Sequence, residues 1–265
     1  MKRERGFALL TVLWTLALLA LVAAQLTTNG RSAVRAATNL RAGAVAELAA
    51  DGAIHHAMLL LLRGEWVPDG VPRELRVGSA VVLLRVVSEN LKLNPNAATV
   101  PAQAALLRRL GVDDARAVQL ARAIVDWRSP GPRSLAGGAK AAQYRAAGLP
   151  YAPANHGFDS IGELGLVNGM TPAILARLKQ ALSIYQEGDT PDLDVTAMSP
   201  AELQREMAKN PWSFGASGRV MVVAIEAVAT GDAGGRFARR AVARLRADPS
   251  LDQAPYEVLT WDTLE

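Results

Sequence analysis

The chain has 265 residues, half of them hydrophobic, with 29 Lys and Arg against 25 Asp and Glu and no cysteine. A formal charge of +4 is too small an excess to argue for a nucleic-acid partner, and the lack of cysteine excludes disulfides and thiolate metal sites. Whatever folds must hold by packing, and the length suffices for one or two domains beside a membrane segment.

The chain opens on Lys2-Arg3-Glu4-Arg5-Gly6 and then runs apolar from Phe7 to Ala24, interrupted by the hydroxyls of Thr11 and Thr15. A helix absorbs both hydroxyls by bonding them back to its own carbonyls. No charge returns until Arg31. About 20 such residues match a hydrocarbon layer of about 30 Å, and a helix leaves no backbone group unsatisfied in lipid. Residues 7–26 therefore read as a transmembrane helix, with the basic residues before it holding the N-terminus in the cytoplasm. Three readings fit this stretch: a secretory signal cut near Leu21-Val22-Ala23-Ala24, an uncleaved anchor, and one carried by Arg5-Gly6-Phe7. That last arrangement resembles the leader of prepilins, the type IV pilin-like proteins. The resemblance implies a leader of residues 1–6, cut by a prepilin peptidase between Gly6 and Phe7, with the helix retained and the Phe7 amine N-methylated. Pilin-like proteins usually carry Glu at the fifth mature position, where it neutralises the terminal amine of a neighbouring subunit. Here that position is Thr11. Within the resemblance, the missing carboxylate marks a subunit with no neighbour ahead of it.

From Thr27 to Arg63 the texture stays helical. Val34, Leu40, Val45, Leu48, Ile54, Met58 and Leu61 recur at steps that fit one helix face, so one helix is expected from about 7 to 62, ended by Gly64 and Pro68. Glu74–Val77 and Val81–Val87 around Gly78-Ser79 read as a hairpin. Residues 27–89 thus form a stalk helix and the first strands of a domain. From Asn90 to about Asn210 the chain turns Ala- and Leu-rich with Pro, Gly and Asn punctuation. Helices are expected at Pro101–Leu110, Asp113–Trp127, Ile161–Leu166, Thr171–Tyr185 and Pro200–Lys209, with Asp113 and Thr171 as caps. In residues 211–265 strands return at Gly218–Thr230, Phe237–Arg246 and Tyr256–Trp261, the first two joined by the turn Gly231–Gly235. A helical block, 90–210, thus interrupts a β region. This segregation indicates an α+β fold, a long N-terminal helix on an antiparallel sheet with a large all-helical insertion.

Inside the block, Leu91–Ala98 leading into Leu106–Leu110 has the same outline as Leu193–Leu203. Between them lie Ile124-Val125-Asp126-Trp127-Arg128, Pro150-Tyr151, Asn155, Phe158–Leu164 and Val167-Asn168-Gly169-Met170-Thr171-Pro172. In this order, and with Arg5-Gly6-Phe7 and Thr11, the set resembles the type II secretion system minor pseudopilin K family (general secretion pathway protein K). The resemblance implies a pilin-like domain at the tip of a short pseudopilus, anchored by one span in the bacterial inner membrane and otherwise periplasmic. It implies partners as well: other minor pseudopilins, the major pseudopilin and the prepilin peptidase. Its work would be assembly and initiation of the fibre that exports folded proteins across the outer membrane. The same hairpin also resembles a helix-hairpin-helix, which would make the chain an envelope-anchored DNA-binding protein. That grip usually needs Gly-x-Gly for two close backbone approaches, and only Gly169 is present. The plainer reading is a turn between two helices, with no nucleic acid bound.

The K family often binds calcium in the helical block through carboxylates after the Asp-Trp pair. Calcium takes six to eight oxygens, several of them charged. After Asp126-Trp127 this chain has Arg128, Arg133 and Lys140 and no Asp or Glu up to Tyr144. Asp126 therefore reads as a structural hydrogen-bond acceptor, and neither a metal nor another cofactor is expected. An enzyme is not expected either. His55, His56 and His156 are scattered, and there is no Gly-x-Ser-x-Gly, P-loop or metal-spaced His pair. Trp127, Trp212 and Trp261 read as core or interface aromatics.

Overall fold

The computed structural model describes residues 4–134, 136–186, 200–210, 212, 219–231, 234–248 and 253–264. The helix α1, Glu4–Leu62, runs for 59 residues, about 90 Å at 1.5 Å per residue. Gly64, in the left-handed region at φ 71°, stops it. The strands β1 (Arg73–Val77), β2 (Ala80–Ser88), β3 (Val220–Thr230), β4 (Arg236–Arg246) and β5 (Tyr256–Thr263) form one sheet in the order β1-β2-β3-β4-β5, antiparallel throughout. The long α1 on this sheet, with helices between β2 and β3, is the α+β arrangement expected from the sequence.

Between β2 and β3 lie α2 (Val100–Arg109), α3 (Asp114–Arg128), α4 (Ala141–Ala146), a 3-10 turn at Ile161–Leu166, α5 (Pro172–Ala181) and α6 (Pro200–Lys209). Three details differ from the expectation. Ile161–Leu166 is the expected helix in its tighter 3-10 form, α5 stops at Ala181 instead of reaching Tyr185, and α4 has no counterpart in the sequence reading. Asp113 and Thr171 do cap their helices, accepting from the amides of Arg116 and Ile174 at 3.4 Å each. The expected strand start at Gly218 and most of the Leu193–Leu203 phrase lie outside the described residues.

The face of α1 that meets the sheet also differs. Val34, Leu40 and Leu48 are exposed, whereas Ala46, Ala49, Ala50, Ala53 and Ala57 are buried with Ile54, Met58 and Leu61. Alanine puts only a methyl group between the backbones, so a stripe of it lets the helix axis approach the sheet closely. Gly235 marks the same closeness at the β3–β4 turn, where a Cβ would run into the carbonyl of Ala42. Alternate residues of the strands complete this core: Val82, Leu84 and Val86 of β2, Val223 and Ile225 of β3, Ala241, Ala243 and Leu245 of β4.

Arg239 shares that inward phase of β4 and is 8% exposed. Its guanidinium donates to Asp51 Oδ1 at 2.9 Å and Glu47 Oε1 at 2.7 Å on α1, and to Thr263 Oγ1 on β5 at 2.9 Å. It lies over the rings of Phe237 and Trp261 at 4.7 and 5.7 Å. A fully buried pair broken on one side costs about 3–5 kcal/mol. Here the Glu47 and Asp51 side chains are 47% and 28% exposed, so water resolvates them. Arg239→Met is therefore expected to cost about 2 kcal/mol, read as a lower denaturation midpoint with an unchanged slope.

A second core fills the helical block: Leu93, Leu107, Ile124, Trp127, Tyr144, Phe158, Leu164 and Leu178 are among its buried residues. A small third cluster, Val222, Ala224 and Val242 with Tyr185 and Leu259, lies where the block covers the sheet face turned away from α1.

Candidate functional site

Two stretches of α1 are strongly apolar, Leu9–Ala23 and Ser32–Leu62. By length and composition the second passes as a membrane span, but 44% of its most apolar 18-residue window is buried inside the protein and its inner face is the sheet's core. It is the core helix. Among the described residues Leu9–Ala23 stands clear of the rest of the protein: Phe7, Leu9, Leu13, Trp14 and Leu19 are 64–75% exposed. A continuous helix with that much uncovered apolar surface is stable in lipid or against other apolar helices, and in water it is a liability. Thr11 spends its hydroxyl inside the helix, donating to the Phe7 carbonyl at 3.2 Å, and Thr15 donates to Val12 at 2.9 Å.

The second feature is the node where the block's patterned phrases meet. Trp127 stacks on Phe158 with centroids 6.1 Å apart and an interplanar angle of 7°, and meets Tyr144 at 6.0 Å. Asn96 clamps the backbone of Phe158, accepting from its amide at 2.7 Å and donating to its carbonyl at 2.9 Å. Arg128 donates to the Ala98 carbonyl at 2.7 Å, and the Asn155 amide to that of Trp127 at 2.8 Å. Tyr144 receives the Asn168 amide at 3.0 Å, and burial pushes its pKa up to about 12. The phrases around Asn96, Asp126-Trp127, Asn155, Phe158 and Asn168 thus pack into one centre.

Asp126 is fully buried at that centre. Its carboxylate accepts from Ser134 Oγ at 2.5 Å, the Ala136 amide at 3.1 Å and the Gly138 amide at 2.8 Å. Gly138 sits so close to α3 that a Cβ would meet the Arg122 backbone. The loop so tied delivers Lys140, 4% exposed, whose ammonium donates to Asp126 O at 2.6 Å, Ser129 O at 2.7 Å and Asn155 Oδ1 at 2.8 Å. Burial pushes the Lys140 pKa below its ordinary value, and the nearby Asp126 charge partly opposes that. Ser134 and Gly138 went unseen in the sequence reading, and Lys140 entered it only as a basic residue that argues against calcium. Their signal there is only a basic residue in a Gly-rich loop, which looks solvated.

The remaining sequence candidates stay apart. His55 and His156 are exposed, their Nδ1 atoms 2.8 Å from the carbonyls of Asp51 and Gly157, and His56 is exposed too. Among the described residues no three His, Asp or Glu are placed to hold a metal. In the hairpin Gly169 adopts φ 87°, while the Asn168 and Met170 amides are engaged by Tyr144 Oη and the Val167 carbonyl at 3.0 and 2.9 Å.

An exposed apolar helix continuing into the core of an antiparallel sheet, with a helical block between its second and third strands, defines a pilin-like protein. Residues 83–187 match the family described as Type II secretion system (T2SS), protein K. The chain is 27% identical over 223 residues to a type II secretion system protein K of Klebsiella pneumoniae, covering 75% of this chain and 68% of that one. The fold is similar to a chain of the GspK-GspI-GspJ complex of the enterotoxigenic Escherichia coli type 2 secretion system, with a TM-score of 0.55 and 18% identity. That match covers 89% of this chain and 99% of the other. The likeness to type II secretion system protein K thus lies in residues 83–187 by family match and in the chain as a whole by fold.

Proposed function

We propose that this chain is a minor pseudopilin that sits at the tip of a type II secretion pseudopilus and initiates its assembly, without catalysis of its own. The observation that carries the reading is the uncovered apolar half of α1, joined rigidly to a sheet domain. In this reading Phe7–Leu26 lies in the bacterial inner membrane until it is drawn into the fibre, with the N-terminus cytoplasmic and residues after about 30 periplasmic. Val34, Leu40 and Leu48, exposed beyond the membrane-length stretch, are apolar surface for neighbouring subunits. The partners are two other minor pseudopilins, as in the complex of the Escherichia coli relative, with the major pseudopilin below them. Thr11 supports the tip position, because its hydroxyl is turned back on Phe7 and offers no charge to an amine ahead. The internal engagement of two hairpin amides leaves the DNA-binding reading without support.

Processing tests this reading. The prepilin peptidase cuts between Gly6 and Phe7, and the new Phe7 amine is methylated. Gly6→Val leaves a membrane-inserted but unprocessed chain that does not co-assemble with the other pseudopilins, read by the N-terminal residue of the purified protein. A mature terminus at Gln25 would show an ordinary secretory signal and remove the proposal. Finding the chain repeated along the shaft, instead of about once per fibre, would remove the tip assignment.

A further inference from the structure

We infer that the Lys140 ammonium is a built-in structural cation doing the work of a bound divalent metal in the helical block, so that this block folds without calcium. The inference stands on the geometry of the node and does not depend on where in the pseudopilus the chain sits. The last turn of any helix leaves carbonyls without partners and concentrates partial negative charge there. At the end of α3 these carbonyls are gathered up: Trp127 O accepts the Asn155 amide, and Asp126 O and Ser129 O accept the Lys140 ammonium. Asn155 Oδ1 closes the set. An ammonium has three protons to donate, and all three are spent at 2.6–2.8 Å.

The donor set does not fit calcium. Three oxygens converge on the Lys140 nitrogen, all of them neutral, where calcium takes six to eight with several charged. The buried carboxylate at this node, Asp126, spends both oxygens on Ser134, Ala136 and Gly138, holding in place the loop that carries Lys140. Between Ser129 and Tyr144 there is no other acidic residue, and a divalent ion beside the buried ammonium would be repelled. The carboxylate and the ammonium therefore form one unit. Asp126 folds the loop back, and the loop returns a single positive charge to the end of the helix that bears Asp126. A tethered cation cannot be lost to a chelator, so cross-linking α3, the 129–140 loop and the Asn155 turn no longer depends on external metal.

The test uses the full chain in detergent, with thermal melts in EDTA and in millimolar calcium. The wild-type melting temperature is expected to be the same in both, and equilibrium dialysis is expected to find no stoichiometric calcium. Lys140→Met keeps the apolar stem and removes the charge. It should melt roughly 5–10 °C lower, and calcium should not restore it. A saturable calcium-dependent rise in the wild-type melting temperature, bound calcium at one per chain, or a Lys140→Met variant melting with the wild type would each overturn the inference. Should Lys140→Met fail to fold, the wild-type calcium arm decides alone.

Discussion

Asp126→Ala is expected to destabilise the helical block by about 3–5 kcal/mol, the range seen when one partner of a buried ionic arrangement is removed. Its carboxylate is fully buried and holds three donors, so truncation empties the buried end of three hydrogen bonds and unties a half-exposed loop from α3. It also takes away a nearby charge that favours the Lys140 ammonium. Asp126→Asn should cost less, because its amide still accepts at one oxygen but turns a donor toward the others. The two cores share no residue, so the loss belongs to the block's own unfolding and not to that of the sheet. Denaturant unfolding followed by fluorescence in a variant that keeps only Trp127 reads the first, and in one that keeps only Trp261, packed on the sheet core, reads the second. The released 129–140 loop should also become cleavable by trypsin at Arg133 and Lys140 under native conditions. An Asp126→Ala variant with an unchanged midpoint and an intact loop would mean that the carboxylate anchors nothing.

What could be read from sequence follows the range of the interaction. Strands β2 and β4 and the caps Asp113 and Thr171 depend on neighbours in the chain, and their patterns stand in it. The buried face of α1 does not. Its choice of Ala46, Ala50 and Ala53 over Leu40 and Leu48 is made by the distance to the sheet, which no helical periodicity encodes. The end of α5 is similar. Leu182 leaves the helix to form a parallel bridge with Leu93, and the Ser183 amide donates to the Leu93 carbonyl at 3.0 Å, a pairing across about ninety residues. Lys140 is the sharpest case. In sequence it is one more cation in a loop rich in Gly and Ala. Only the fold, which brings the end of α3, Asn155 and the Asp126 carboxylate around it, makes it a buried group. Arg239 stands in sequence as one basic residue of the strand Phe237–Arg246, and the three-dimensional phase of β4 turns it inward to α1.

Replacing residues 91–219 by a short Gly-Asn-Gly turn is expected to leave α1 and the five-stranded sheet folded. Strands β2 and β3 are direct antiparallel neighbours, Ser88 opposite Val223, so the block leaves and rejoins the sheet at one place. There the Glu89 amide donates to Val222 O at 2.8 Å and the Val222 amide to Asn90 Oδ1 at 2.5 Å, bonds that the shortened chain keeps. Closing a short turn costs less chain entropy than closing the long one it replaces, which favours the excised form. Against this stands the third cluster: without the block, Val222, Ala224 and Val242 face water, and the Lys92–Glu89 pair is lost. Re-exposing three small apolar side chains costs about 2–4 kcal/mol, a large part of a domain's stability but less than the α1 core supplies. The excised chain should therefore melt cooperatively at a lower temperature, with the helical signal reduced to that of α1. Val222→Thr with Val242→Thr should recover solubility by wetting the uncovered face without touching the face that meets α1. An aggregate with no cooperative melt even in that double variant would mean the sheet needs the block to fold, and the two cores would have to be treated as one.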